Sequence, residues 1–281
     1  MVGSDLMMDA AKGNDAQESY FPLAGRLGAI RRMPGWKLML IAIAFPLVLL
    51  AVSSLQPHEF YEAGSAARFW SLNIWTLHLP MFALLVGALA MKWGGLKAAD
   101  LGFSPRGLPA LLAAPLLAWV GTQLTLSLVS GSAFSMPGAA QYPAFAANLF
   151  ATGFNEEGFF RGVLFVQLGL LLRHRFKLRD HKALVVSGLM SAIWFALSHF
   201  QFTLSDFAVI ALGGVIGCLL YARTANLYFV IGLHGLFNAP LALFSVSDEL
   251  AKLVVIGWML ALAATYPLLR GVMETGDGRS R

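Results

Sequence analysis

The sequence predicts an all-α, polytopic membrane bundle of eight transmembrane helices with both termini in the cytoplasm, and three observations support this prediction. First, 58% of the 281 residues are hydrophobic and only 12% are charged, which is about half the charged fraction of a soluble domain. Second, the apolar residues fall into eight windows of roughly the 20 residues that a helix needs to cross a bilayer. Third, the basic residues between these windows lie mostly on one side of the expected membrane.

The eight windows are, in chain order, residues 37–55, 72–92, 108–130, 143–172, 183–200, 206–222, 226–245 and 251–270. The fourth window is too long for one perpendicular span, so we expect it to tilt, to break or to begin with an interfacial segment. The windows together define a membrane domain at residues 37–270. The flanking residues 1–36 and 271–281 are expected to be cytoplasmic tails.

The lysines and arginines indicate the orientation of the bundle. With a cytoplasmic N-terminus, all but three of the 20 lie on the cytoplasmic side; Arg68 and Lys252 lie opposite, and Arg161 lies within a span. Because the basic residues form short runs between apolar windows, the formal charge of +5 indicates membrane orientation rather than nucleic-acid binding. Residues 1–19 are polar and contain no apolar core of a signal peptide, so the first window is expected to be a retained helix.

Three ionisable residues lie inside the fourth window, in the stretch FNEEGFFRGVLF. One charge at the centre of a bilayer costs about 2.5–3.5 kcal/mol, so these residues must face protein or water. Glu157 and Arg161 are one turn apart on one helical face, where they can form an ion pair. Glu156 points about 100° away and has no cation on its own helix. The spacing therefore predicts a structural pair, Glu157 with Arg161, and a free carboxylate, Glu156.

Histidines in later windows are candidate partners for that carboxylate. His199 lies in the stretch WFALSHF, and His234 lies one turn before Asn238 in HGLFNA. Each feature alone has a structural explanation, such as hydrogen bonding between helices for His234 and Asn238. Together with Glu156 they supply a base for water and donors for an oxyanion, as proton-transfer hydrolysis requires. His78, in the second window, is interpreted as a packing or interfacial histidine.

Other functions stay open at this point. A catalytic zinc ion would find suitable ligand types in Glu156, His199 and His234, but a ligating Glu156 would leave the site without its free base. A metal-free site and a zinc site therefore both stay open at this point. Ser198 is a poor nucleophile because it and His199 point apart on a helix, and the lone Cys218 excludes a cysteine metal site. A proton-coupled transporter and a non-catalytic scaffold remain rivals, since intramembrane charges also mark ion paths.

Three motifs, taken in order, resemble those of a known family. The motifs are EExxxR, FxxxH and HxxxN, formed by Glu156, Glu157, Arg161, Phe195, His199, His234 and Asn238. They are similar to the motifs of the CAAX-protease and bacteriocin-processing (CPBP, or ABI) family of membrane peptidases, which includes the Ras-converting prenyl endopeptidase. The resemblance covers about residues 98–245.

The resemblance implies an intramembrane endopeptidase of the glutamate type without a metal, although the family was long described as metalloendopeptidases. It implies that Glu156 activates water with help from His234, and that His199 and Asn238 stabilise the oxyanion. The other two charged residues of EExxxR would hold the site together. The implied substrate is a membrane-anchored or lipidated protein, cleaved near its C-terminus or membrane anchor. The implied location is the bacterial cytoplasmic membrane.

The depth of the site follows from the helical rise of about 1.5 Å per residue. Glu156 and His199 come out roughly 24–25 Å from the cytoplasmic ends of their windows, and His234 about 12 Å from its own. We therefore expect the site between the midplane and the outer half of the bilayer, open to a substrate that enters laterally.

Overall fold

The computed structural model describes residues 21–55, 77–139, 141–200 and 203–275. Every regular element in these ranges is helical, and an isolated bridge outside the helices joins Phe134 to Phe244. The all-α prediction is thus confirmed. The predicted tails lie largely outside these ranges, as do residues 72–76 of the second window and Arg68.

The helices of the described ranges are numbered in chain order. They are α1 (Pro22–Arg26), α2 (Gly35–Leu55), α3 (residues 79–93), α4 (Ala110–Val129), α5 (residues 141–176), α6 (Asp180–Leu197), α7 (Leu204–Thr224), α8 (Leu227–Asn238) and α9 (Asp248–Thr275). Short 3₁₀ turns connect some of them, at Leu27–Ala29, Ala98–Leu101 and Pro105–Gly107.

Each predicted window overlaps one of the helices α2 to α9. By length and composition, α4, α7 and the stretch Glu249–Tyr266 of α9 can cross a membrane, and α2, α3 and α8 contribute shorter apolar stretches. These helices support an integral membrane protein. The number of eight spans, their orientation and the boundaries of the membrane domain stay predictions.

The fourth window forms one continuous helical run, α5, that alternates between two hydrogen-bond patterns. Its α-helical parts alternate with π-helical parts, which are Asn148–Thr152 and Glu157–Phe165. Of the three alternatives expected for this window, a break does not occur, since residues 141–176 are helical throughout. Such π turns are frequent at functional sites, and both of these adjoin the segment Gly153–Glu156 that ends in the predicted free carboxylate.

The predicted end of the seventh window, residue 245, is wrong. α8 already ends at Asn238, and Ala239 leaves the helical region with φ −138° and ψ 83°. Pro240 explains this end, because proline lacks the N–H that a helix needs and disfavours helical geometry in the residue before it.

The segment after α8 is held by two side chains of α4. Gln123 Oε1 accepts a hydrogen bond from Leu243 N at 2.8 Å, and Gln123 Nε2 donates to Leu241 O at 3.4 Å. Trp119 Nε1 also donates to Leu241 O, at 3.0 Å. Leu241 has a φ of +49°, a left-handed conformation that costs energy in a residue with a Cβ. These bonds offset that cost and fix the end of α8 against α4.

Two glycines allow α8 to approach its neighbours closely. A Cβ at Gly232 would lie 2.5 Å from the carbonyl oxygen of Leu111 in α4, and a Cβ at Gly235 would lie 2.9 Å from Leu149 in α5. Small residues at such positions let helix backbones pack closely in membrane bundles. As a result α8 lies between α4 and α5, and His234, between the two glycines in sequence, is brought beside α5.

The helices α3 and α5 run in the same direction. His78 Nε2 lies 3.1 Å from Thr152 Oγ1, and one turn later on both helices Asn155 Nδ2 lies 3.9 Å from Met81 Sδ. Because the contacts occur in the same order along both helices, the two helices pack in parallel. A parallel pair is what the alternation predicts for the second and fourth windows.

Candidate active site

The predicted ion pair of α5 is present and deeply buried. Arg161 Nε lies 3.2 Å from Glu157 Oε2, and both side chains are only 3% exposed. The guanidinium packs over the ring of Phe195, 4.5 Å from its centroid. On α7, Gly217 provides the space, since a Cβ there would lie 2.6 Å from Arg161 Nη2. Three helices therefore enclose this one cation.

Glu157 has a second partner that its sequence spacing does not indicate. His234 Nδ1 on α8 lies 2.9 Å from Glu157 Oε1. Since a carboxylate paired with Arg161 can only accept, Nδ1 carries the proton and donates it to Glu157. The interpretation of Glu157 and Arg161 as a self-contained pair is thus incomplete, because Glu157 links Arg161 to a candidate catalytic imidazole and sets its tautomer.

An asparagine pair continues the network beyond His234. Asn238 Nδ2 lies 2.9 Å from His234 Nε2 and donates to Asn148 Oδ1 at 3.1 Å. Asn148 in turn donates from Nδ2 to Ala144 O at 2.9 Å. In neutral His234 the nitrogen Nε2 accepts, so Asn238 donates to both partners. Asn148 thereby fixes the direction of the Asn238 amide.

The carboxylate of Glu156 lies beside this network without joining it. Its Oε2 lies 3.9 Å from His234 Nε2, beyond hydrogen-bonding distance, and its side chain is 15% exposed. Within the described residues Glu156 has no hydrogen-bond partner among the side chains of other helices. The structure therefore places it as the sequence predicts, apart from Arg161 and facing an imidazole.

His199 lies in the turn that follows α6. Its Nδ1 is 2.8 Å from Phe195 O, and because a carbonyl oxygen only accepts, Nδ1 again carries the proton. Its ring also packs edge-on against Phe195, with centroids 4.5 Å apart. Phe195 thus contacts both Arg161 and His199. The neighbouring Ser198 donates its hydroxyl to Trp194 O at 2.8 Å, which agrees with the rejection of a serine nucleophile.

One cavity of about 310 Å³ brings these groups together. Its polar lining consists of the predicted site residues, which are Glu156, Glu157, Arg161, His199, His234 and Asn238. Its other walls come from α6, α7, α8 and α9 and are apolar, with Phe195, Ile210, Ile216, Phe237, Ile256 and Met259 among them. The arrangement combines a carboxylate, two imidazoles and an amide with a surface suited to an apolar ligand segment.

The zinc alternative requires Glu156, His199 and His234 to converge on one ion. In the part of the chain that the structure describes, no three His, Cys, Asp or Glu side chains are arranged to hold a metal. The Nδ1 atoms of both histidines are engaged with protein acceptors, an arrangement compatible with metal ligation through Nε2, but His234 Nε2 lies 2.9 Å from Asn238 Nδ2. The side chains as placed do not fit a three-ligand centre, and the absence of a metal requirement stays a prediction.

Sequence reasoning missed two polar residues that precede Glu156 on α5. Asn148, Thr152 and Glu156 recur at every fourth position, which places them along one face of a helix. Asn148 contacts Asn238, and Thr152 contacts His78. The spacing was the available signal, but neutral side chains in an apolar window are usually explained by packing.

A comparison with protein-family models gives one match, and its bounds coincide with the site. No curated protein and no solved structure matches the chain. The matching family model is described as Rce1-like, type II CAAX prenyl endopeptidase, and covers residues 138–240. This stretch contains all three motifs and every predicted site residue. The match agrees with the family that the motifs indicate, and it defines an Rce1-like region at residues 138–240.

Proposed function

We propose that this protein is an intramembrane endopeptidase that hydrolyses a peptide bond near the C-terminus or membrane anchor of a membrane-associated protein. The observation that carries the proposal is the position of Glu156, which faces His234 Nε2 at 3.9 Å in the polar end of the cavity. The Rce1-like region supports a peptidase, and the geometry supports roles for individual residues.

Glu156 acts as the general base in this proposal. It takes a proton from water while the water oxygen bonds to the carbonyl carbon of the scissile peptide, and the carbonyl oxygen becomes the oxyanion. The proton passes from Glu156 to the leaving nitrogen, directly or through His234 Nε2, as the C–N bond breaks. The products are a free carboxyl group and a free amine.

Asn238 and His234 supply donors to the oxyanion. In the neutral state the lone pair of His234 Nε2 accepts from the Asn238 amide, which lies 2.9 Å away. When Nε2 is protonated it can no longer accept, so the imidazolium and the released amide N–H both become available as donors. Glu157 supports this step because it holds Nδ1–H of the same ring at 2.9 Å.

His199 lines the same cavity as Glu156 and His234. Its Nδ1–H is engaged with Phe195 O, so only Nε2 remains for the reaction. A neutral His199 accepts through this atom, and it donates to an oxyanion only when it is protonated. The oxyanion role implied by the family resemblance therefore requires the imidazolium form.

The substrate in this proposal is anchored in the membrane by a lipid or an apolar segment. The apolar cavity walls from α7 and α9 favour such a segment beside the polar groups. Prenylated proteins fit the description of the matching family as a CAAX prenyl endopeptidase. In this proposal the substrate enters from within the bilayer, and the site lies between the midplane and the outer half.

The variant Glu156→Gln tests this function. Comparison of the C-termini of membrane proteins from cells with the wild type and with Glu156→Gln should show shortened C-termini in the wild type alone. Purified full-length protein in lipid nanodiscs should also cleave a quenched peptide that ends in a prenylated Cys-aliphatic-aliphatic-X sequence, and Glu156→Gln should not.

The outcome separates the proposed peptidase from its rivals. Both proteins must reach the same folded abundance, since Glu156 is not part of the buried ion pair. Identical C-termini in both cell lines would overturn the peptidase. A change in ion flux in Glu156→Gln would then indicate a transporter. If cleavage and ion flux are both the same in the wild type and the variant, the protein is a scaffold.

A further inference from the structure

His78 connects α3 to the helix that carries Glu156. It immediately precedes the stretch Leu79–Met81, and its Nε2 lies 3.1 Å from Thr152 Oγ1. Thr152 is one turn before Glu156 on α5 and ends a π-helical part. The hydrogen bond therefore holds the turn of α5 from which the Glu156 side chain projects.

The second ring nitrogen of His78 has no partner in the described part of the chain. Nδ1 is buried and makes no hydrogen bond, and the same is true of Asn155 Oδ1 on the facing helix. Buried polar atoms are nearly always satisfied, and exceptions call for an explanation such as a functional role. If the side chain at position 78 served packing alone, an apolar residue would avoid the free-energy cost of burying an unpaired nitrogen.

The contact of His78 lies close to the proposed reaction centre. Thr152, its hydrogen-bond partner, is one turn before Glu156, and Glu156 faces His234 Nε2 at 3.9 Å. Glu156 and His234 are the two groups that exchange the proton in the proposed reaction. A third imidazole, which immediately precedes α3 and lies outside the Rce1-like region, thus contacts the helix that carries Glu156.

We propose that His78 is a positioning residue for Glu156. Its hydrogen bond to Thr152 fixes the supporting turn of α5, and this turn holds the carboxylate of Glu156 toward His234. The inference rests on the proposed role of Glu156 as the base. It replaces the interpretation of His78 as a packing or interfacial histidine.

The test uses full-length protein in lipid nanodiscs, with the variants His78→Leu and His78→Gln. For cleavage of the prenylated probe peptide, His78→Leu should lower kcat about tenfold, the effect of one lost hydrogen bond, and leave KM unchanged. His78→Gln should recover most of the rate, because its amide can still hydrogen-bond Thr152. A structural role alone would not separate kcat from KM in this way.

Infrared difference spectroscopy provides a readout that does not need turnover. The carboxylate band of Glu156 is the band that Glu156→Gln removes. We expect this band to shift in His78→Leu and to return toward its wild-type position in His78→Gln. A band shift without cleavage of the probe by the wild type would contradict the proposed function for that substrate, and His78 would still be shown to position Glu156.

His181 is the matched control. Its Nδ1 is also buried without a hydrogen-bond partner in the described residues, but it lines a different cavity, between α6 and α7. His181→Leu should leave both kcat and the Glu156 band as in the wild type. The inference is overturned if His78→Leu leaves the Glu156 band unshifted, or if His181→Leu shifts it equally.

Discussion

Glu157 divides its two carboxylate oxygens between Arg161 and His234. One oxygen lies 3.2 Å from the guanidinium and the other 2.9 Å from the imidazole. The sequence predicts the first contact because both residues lie one turn apart on the same helix. It does not predict the second, because His234 lies on α8 and the contact depends on how closely α8 packs against α5.

We expect Glu157→Gln to destabilise the protein strongly. The substitution leaves the guanidinium of Arg161 buried without a counter-charge, and breaking a buried pair in this way costs about 3–5 kcal/mol. Thermal unfolding in detergent should show a clearly lower midpoint and less folded protein. Glu156→Gln is the matched control at the neighbouring position and should unfold like the wild type. Equal midpoints for both variants would contradict the division of roles between these glutamates.

Asn148 is expected to affect activity through Asn238. Asn148→Leu removes the acceptor that orients the Asn238 amide at 3.1 Å, so one oxyanion donor loses its fixed direction. The rate of probe cleavage should fall about tenfold or more. Asn148→Asp keeps an acceptor oxygen and should retain more activity than Asn148→Leu. Similar rates for the two variants would exclude this role.

At the scale of the helix, α7 offers two glycines one turn apart that line the same cavity. A Cβ at Gly217 would meet the guanidinium of Arg161 at 2.6 Å, whereas a Cβ at Gly213 would have nothing within 4 Å. Arg161 cannot easily move away, because Glu157 and Phe195 hold it. The two glycines therefore have opposite tolerance for a methyl group.

Gly217→Ala should lower the stability by about 1–3 kcal/mol through overpacking. Gly213→Ala should be neutral or should stabilise the helix by about 0.5–1 kcal/mol, because alanine loses less backbone entropy than glycine. Parallel thermal unfolding of the two variants measures the difference. Equal midpoints would show that Arg161 has more freedom than its contacts indicate.

Gln123 should control the order of the segment that follows α8. Gln123→Leu removes the acceptor for Leu243 N and one donor to Leu241 O. Hydrogen exchange of the Leu243 amide should become faster, since its protection depends on that bond. Leu124→Ala, at a 60% exposed position on the same helix, is the control and should leave this amide unchanged.

The sequence locates the helices better than it describes their details. Each of the eight apolar windows overlaps a helix because composition alone marks them. Pro240 indicates the end of α8, but hydropathy, which defines the window, continues past the proline. The π-helical parts of α5 carry no signal in hydropathy.

At the scale of the whole molecule, the orientation of the bundle is the main prediction. The charge bias predicts eight crossings, with both termini in the cytoplasm, and the parallel packing of α3 and α5 agrees with one intervening crossing by α4. Single cysteines in a Cys218→Ser background, one in residues 94–97 and one in residues 131–138, should react with impermeant reagents from opposite sides. Labelling of both from one side would contradict the topology.

The sequence predicts which polar residues line the cavity, but it does not predict how they contact one another. The three motifs identify the six polar residues of the cavity, because these types are rare in apolar helices. The contributions of Asn148, Thr152 and His78 depend on contacts between helices that are distant in the sequence. Such contacts have no local pattern.

The π-helical stretch Glu157–Phe165 makes the direction of Glu156 depend on the length of the chain that follows it. A π turn holds an extra residue, and each extra residue rotates the preceding part of a helix by on the order of 100° about its axis. Deleting one residue between positions 158 and 165 would therefore turn Glu156 away from His234, even though every catalytic side chain would keep its chemical identity. The rotation of α5 about its own axis therefore determines the geometry of the active site as much as the identity of its residues does.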